Sequence, residues 1–155
     1  MKALVVYFSY SGNTKFIAEA VAKVLGADTE ELKLTKPLSP SDAGKYEKLL
    51  KDSDVPLLPL EHDAGAYDVV VIGTPAWYYT FAPPVRRFLE SVDLSGKRLG
   101  LFCCHGGGPG KTLQNLKNAL PNSTVAGTIE FYDPALHNAN GNRQKAEEWA
   151  RSLLQ

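Results

Sequence analysis

The sequence predicts an α/β fold, a doubly wound parallel sheet of five strands with helices on both faces, in a single three-layer domain spanning residues 1–155. Two observations carry that prediction. Continuous apolar runs at Ala3-Leu4-Val5-Val6-Tyr7-Phe8 and Val69-Val70-Val71-Ile72 have the pattern of strands covered on both faces. Strand-type and helix-type segments then alternate along the whole chain, as parallel strands joined by helical crossovers require. With 155 residues, 44% of them apolar, the chain can bury a core without disulfides or metals.

The elements follow in order. Residues 3–8 form the first strand. Phe16, Ile17, Ala20, Val21, Val24 and Leu25 then fall on one helical stripe, which Gly26 ends. Residues 29–34 alternate as a strand, with Leu32 and Leu34 on one face. Residues 35–66 are the least legible, punctuated by Pro37, Pro40, Pro56 and Pro59, with a short polar helix expected over 41–51. The buried strand 69–72 ends in Gly73-Thr74-Pro75, and Pro83-Pro84 opens a helix to about Ser91, proline being tolerated in a first turn. A strand at 98–104, a helix at 111–119, a strand at 124–131 and a helix at 140–154 complete the pattern.

Composition excludes several classes. Basic and acidic residues balance at 17 each, so no polyanion-binding surface and no nucleic-acid partner is expected. The only two cysteines, Cys103 and Cys104, are adjacent; neighbours rarely bond to each other, so a reducing, cytoplasmic setting is expected. No Cys/His cluster suggests a metal. The chain enters a strand after Met1-Lys2, leaving no room for a signal peptide, and no apolar run approaches the ~20 residues of a membrane helix.

The residues suited to chemistry share one location: each group follows the carboxyl end of a buried strand. In open α/β sheets, ligands bind outside these ends, where the strand order reverses. Ser9-Tyr10-Ser11-Gly12-Asn13-Thr14 lies where a strand gives way to a helix. Hydroxyls and backbone N–H groups converge there on the positive end of the helix dipole, which suits a phosphate. Ser11 or Asn13 acting only as a helix cap is the plainer alternative. Thr74-Pro75-Ala76-Trp77-Tyr78-Tyr79 sets three aromatic rings in a loop, a platform for a flat heterocycle or a patch packed on residues 35–66. Trp77 or Tyr78 is the better stacking candidate. His105-Gly106-Gly107-Gly108-Pro109-Gly110 lets backbone amides approach a ligand closely. Gly110-Lys111-Thr112 imitates a nucleotide P-loop, but His105 stands where that motif needs its first glycine. His105 reads as a capping residue before a proton donor, and Cys104 as an inert strand-end thiol.

These residues resemble the flavodoxin family, in its short-chain form. Ser9-Tyr10-Ser11-Gly12-Asn13-Thr14 is similar to the family's phosphate loop for flavin mononucleotide (FMN). Gly73-Thr74-Pro75-Ala76-Trp77 with Pro83-Pro84-Val85-Arg86-Arg87-Phe88-Leu89 resembles its second flavin loop and the helix after it. The resemblance implies strand order 2-1-3-4-5 and FMN as cofactor. It implies that Ser9, Ser11, Gly12, Asn13 and Thr14 hold the phosphate, with Tyr10 also among the cofactor-binding residues. Thr74, Pro75, Ala76, Trp77 and Tyr78 would line one side of the ring, and Cys104, His105, Gly106 and Gly107 the other. The absence of a long insertion near Phe131 places the chain with the short members.

Two departures bear on activity. Electron-carrying members are usually strongly acidic, and this chain is neutral. A glycine in the carriers' second loop permits a backbone flip that stabilises half-reduced flavin, and residues 74–82 contain no glycine. The resemblance implies electron transfer between redox partner proteins, without a separate nicotinamide-binding unit. An FMN-dependent NAD(P)H or quinone reductase is the alternative, and a flavin-free scaffold on the same fold the second. A phosphoryl-acceptor domain would need clustered aspartates after the first strand, where Ser9-Tyr10-Ser11 stand.

Overall fold

A computed structural model of the chain describes residues 1–38 and 55–155; the helix expected over 41–51 lies outside them. Strand β1 (Ala3–Tyr7) is buried along its whole length, as its unbroken apolar run requires. It pairs in parallel with β2 (Asp28–Glu31) on one side and β3 (Val69–Trp77) on the other. β5 (Arg98–His105) continues beside β3, and β6 (Thr124–Tyr132) beside β5, again in parallel. A two-residue strand, β4 (Thr80–Phe81), folds back antiparallel onto the end of β3. The path β2-β1-β3-β5-β6 is the expected order with β4 added off it.

Among the described residues four α-helices cover the sheet. α1 (Asn13–Leu25) ends at Gly26, whose φ of 58° is the left-handed conformation that a C-terminal glycine supplies. α1 and α4 (Ala139–Ser152) bury Ile17, Val21, Ala146 and Ala150 against Val5, Tyr7, Val71 and Phe102. The opposite face carries Leu4, Val6, Val70, Ile72, Leu99 and Leu101. α2 (Pro83–Ser91) and α3 (Thr112–Asn118) cover it with Val85, Phe88 and Leu116. Close approach needs glycine where the Phe102 ring crosses Gly73: a Cβ there would stand 2.2 Å from that ring.

Two expected elements differ. The strand expected over 29–34 ends at Glu31, and Leu34 instead bridges Leu57 antiparallel. Residues 55–62 thereby strap the β2 edge, with the amides of Glu61 and His62 both donating to Glu30 Oε1 at 2.8 Å. The second difference concerns the site. The segment expected to leave the sheet after Ile72 stays in it to Trp77, because β3 keeps pairing with β5 as far as Pro75↔Cys104. The Gly73 carbonyl accepts from Phe8 N at 3.2 Å, on the β1 side. By strand alternation the Pro75 nitrogen points the same way, beyond the end of β1, so its missing N–H breaks no ladder.

Candidate functional site

Loops 9–14, 74–79 and 105–110 all leave the carboxyl ends of adjacent strands, β1, β3 and β5. In the first, Gly12 is the N-cap of α1 with φ 99°, a conformation that a side chain would strain. As a glycine it offers no side-chain acceptor to the first turn. Among the described residues no protein acceptor takes the amides of Gly12, Asn13 or Thr14, which leaves them for an anion.

The hydroxyls and amide of this loop have separate tasks. Ser9 Oγ accepts from Lys15 N at 3.1 Å, closing the turn from within. Asn13 is buried, and its side chain is a bracket rather than a cap. Its Nδ2 donates to Ser11 Oγ and to Asp133 Oδ1, each at 3.3 Å, and its Oδ1 accepts from Ala135 N at 3.0 Å. Thr14 is buried as well, with its side chain near enough to the Cys104 thiol to oppose part of the upward push of burial. The exposed Ser11 hydroxyl therefore stands with the free amides as the groups of this loop that could hold a ligand, beside the exposed Tyr10.

The second group is a β-hairpin. Ala76↔Phe81 and Trp77↔Thr80 pair, so Tyr78 and Tyr79 alone make the turn. Their φ values of 50° and 67° are both positive, the type I′ signature. Asn-Gly is the usual occupant; two aromatic residues in left-handed conformations cost roughly 1–3 kcal/mol each. Both rings stand largely in solvent, at 57% and 74% exposure, so they return no burial for that strain. Trp77 packs edge-on against Phe8 at 5.4 Å and Tyr10 at 6.0 Å, which ties the hairpin to the 9–14 loop. Thr74 closes the base: its buried Oγ1 accepts from Ala82 N at 3.0 Å and donates to Pro75 O at 2.8 Å.

In the third group, Gly108 N donates to His105 Nδ1 at 3.1 Å, which assigns the neutral imidazole's proton to Nε2. Nε2 lies 4.0 Å from a Glu130 carboxylate oxygen. His105 is a brace of its own turn. Gly106 passes close to Asp133, whereas Gly107 has open space where a side chain would stand. Cys104 lies beneath the loop; burial pushes its thiol up to about 12 against the smaller opposing pull of Thr14. Burial, reinforced by Glu130, raises Cys103 to about 12 too.

The structure thus brings Ser11, Gly12, Asn13 and Thr14 together at the head of α1, and Trp77 and Tyr78 on the hairpin. It keeps the side chains of Cys104, Thr14 and Thr74 in the protein interior. Sequence reasoning missed the 132–138 segment, which reaches the 9–14 loop through Asp133 and Ala135. Asp133-Pro134, a turn pair at the carboxyl end of β6, was the available signal.

The donor set fits a phosphate attached to a flat ring. Comparison with known proteins agrees. The chain is 30% identical over 104 residues to Flavodoxin 1 of Escherichia coli K12, covering 64% of this chain and 47% of that protein. It is 29% identical over 135 residues to an NAD(P)H dehydrogenase (quinone) of Cupriavidus metallidurans, covering 77% and 66%. The alignments thus span about half to two thirds of these relatives. A Bacteroides eggerthii flavoprotein shares the fold at TM-score 0.81 and 22% identity, over 99% of this chain and 98% of that one. A Lactobacillus acidophilus flavoprotein solved in complex with FMN does so at TM-score 0.70 and 19% identity, over 96% and 98%. The flavodoxin family model matches residues 2–153, and with the loops and strand order above it places this chain in the flavodoxin family.

Proposed function

We propose that the chain is an FMN-dependent redox protein that passes electrons between partner proteins by transient docking. The observation carrying this reading is the open first turn of α1: the Gly12, Asn13 and Thr14 amides have no protein acceptor among the described residues and stand with the exposed Ser11 hydroxyl, ready for a phosphate, with an aromatic hairpin beside them. Ser11, Gly12, Asn13 and Thr14 hold the phosphate, with Ser9 and Tyr10 shaping that loop. Trp77 and Tyr78 face the ring from the hairpin, on a wall built by Thr74, Pro75 and Ala76. Gly106 and Gly107, with His105 and Cys104 behind them, form the other wall. When bound, FMN supplies reversible electron transfer. The protein's part is to orient it and to set the polarity around it; no side chain is assigned a proton-transfer role.

A second reading, reductase action on quinones or NAD(P)H, is favoured by the glycine-free hairpin tip and its two exposed tyrosines, a surface suited to small flat molecules. A cytoplasmic location accords with two buried, unbridged cysteines. Among the described residues no helix is long and apolar enough to cross a membrane.

An absorption spectrum of the purified protein tests the cofactor. Visible flavin bands are expected; a colourless protein that leaves added FMN fluorescence unquenched refutes it. Photoreduction separates the two activities. Reduction in two resolved one-electron steps supports the carrier, whereas a single two-electron step with rapid NAD(P)H oxidation by quinone supports the reductase.

A further inference from the structure

We propose that Gly110 is a positioning residue that fixes the width of the slot for the planar ring, by clamping the hairpin tip to the opposite loop. This rests on the FMN reading above and gives Gly110, at the end of the third loop, a role beyond the residues assigned to the ring.

The two walls of the crevice meet at one point. A methyl group on Gly110 would stand 2.6 Å from Tyr79 Cβ and 2.8 Å from Tyr79 Cα. Lys111 N, the next amide, donates to Tyr79 O at 3.0 Å. One turn along α3, Asn115 Nδ2 donates to Thr80 Oγ1 at 3.0 Å. Two hydrogen bonds and the close approach of Gly110 thus hold the tip of the hairpin against the entry to α3. Gly110 itself has φ 56°, so the close approach and the backbone conformation both select glycine.

The clamp accounts for an otherwise unrewarded conformation. Tyr78 and Tyr79 occupy a turn that other residues adopt with less strain, and their rings gain little burial. Held by Gly110 and Lys111, the tip keeps one position before any ligand arrives. A preset wall spares the ligand the entropic cost of ordering it.

The steric consequence runs one way. Carbon–carbon contacts settle near ~3.5–4.0 Å, so a methyl at position 110 displaces the tip by about 1 Å. The obstructing atoms include main chain, which cannot rotate aside. Recognition of a flat ring depends on that spacing. Phosphate recognition does not, because it uses the amides at the head of α1.

The test compares three probes on the full chain: FMN and riboflavin by fluorescence quenching, and inorganic phosphate by its thermal protection. Gly110→Ala is expected to weaken FMN and riboflavin by the same factor, at least tenfold, with the phosphate response changed less than twofold. Asn115→Ala, which removes one peripheral contact, is expected to give about a threefold loss for the two flavins only; it serves alone if Gly110→Ala does not fold. Unchanged flavin affinity overturns the proposal, as does parallel loss of flavin and phosphate binding. A wild-type protein that binds neither flavin overturns the cofactor reading itself, a result seen before any substitution is made.

Discussion

Replacing Thr74 with valine preserves shape and removes one oxygen, and the structure says what that oxygen holds. Thr74 Oγ1 takes the Ala82 amide at 3.0 Å and gives its proton to Pro75 O at 2.8 Å. Both Thr74 and Ala82 are fully buried, so water cannot replace the lost acceptor. An orphaned buried N–H costs ~1–3 kcal/mol and the second bond contributes ~0.5–1.5 kcal/mol, so Thr74→Val is expected to destabilise by about 2–4 kcal/mol. At ~2–4 °C per kcal/mol for a chain of this size, the melting temperature falls by roughly 5–15 °C. Urea unfolding of flavin-free protein is the assay: the midpoint should drop with the m-value unchanged. Thr74→Ser should recover most of the loss, since it keeps the hydroxyl. A valine variant within about 0.5 kcal/mol of wild type would refute the claim that this hydroxyl fastens the hairpin to α2.

Three further outcomes are expected. Asn13→Ala should lower stability by about 1–3 kcal/mol in urea unfolding and weaken FMN binding, because Ala135 N and Asp133 lose their partner; unaltered stability would show the bracket to be idle. Neither cysteine should react with Ellman's reagent at pH 8 until the protein is unfolded, because burial raises both thiols to about 12; one equivalent released from native protein contradicts this. Tyr67 donates to Asp28 Oδ2 at 2.6 Å, which raises its phenol from about 10 to about 12. Its folded pKa exceeds the unfolded one, so its contribution is complete below about pH 10 and is lost as pH rises towards 12. Tyr67→Phe should remove that part of the alkaline decline, and a wild-type minus Tyr67→Phe difference titration in the ultraviolet centred near 10 would disprove it.

Where burial is uniform, the sequence was easy to read. Five apolar residues in a row have the pattern of a strand covered on both faces, and β1 is that; Gly26 and Pro83-Pro84 mark helix ends for local steric reasons that packing does not override. Reading failed where local signals and tertiary pairing disagree. Gly73 and Pro75 look like the end of a strand, but β5 continues alongside and keeps them extended. A Tyr-Tyr pair announces no type I′ turn, because what sustains it lies at Gly110 and Lys111, some thirty residues on in sequence. In the site, the hydroxyl-rich loop was visible as composition, yet nothing local distinguishes Ser11, which faces outward, from Thr14, which faces Cys104.

The Asn13 bracket has a consequence for the order of events during biosynthesis. Its partners lie 120 and 122 positions downstream, so the anion loop is made well before the residues that give it its final support. A ribosome adding ~5–20 residues per second takes several seconds to cover that interval. Through that time the nascent chain carries the loop's composition without the loop's geometry. Cofactor capture by the braced loop therefore follows synthesis of the 133–135 segment and cannot begin before it.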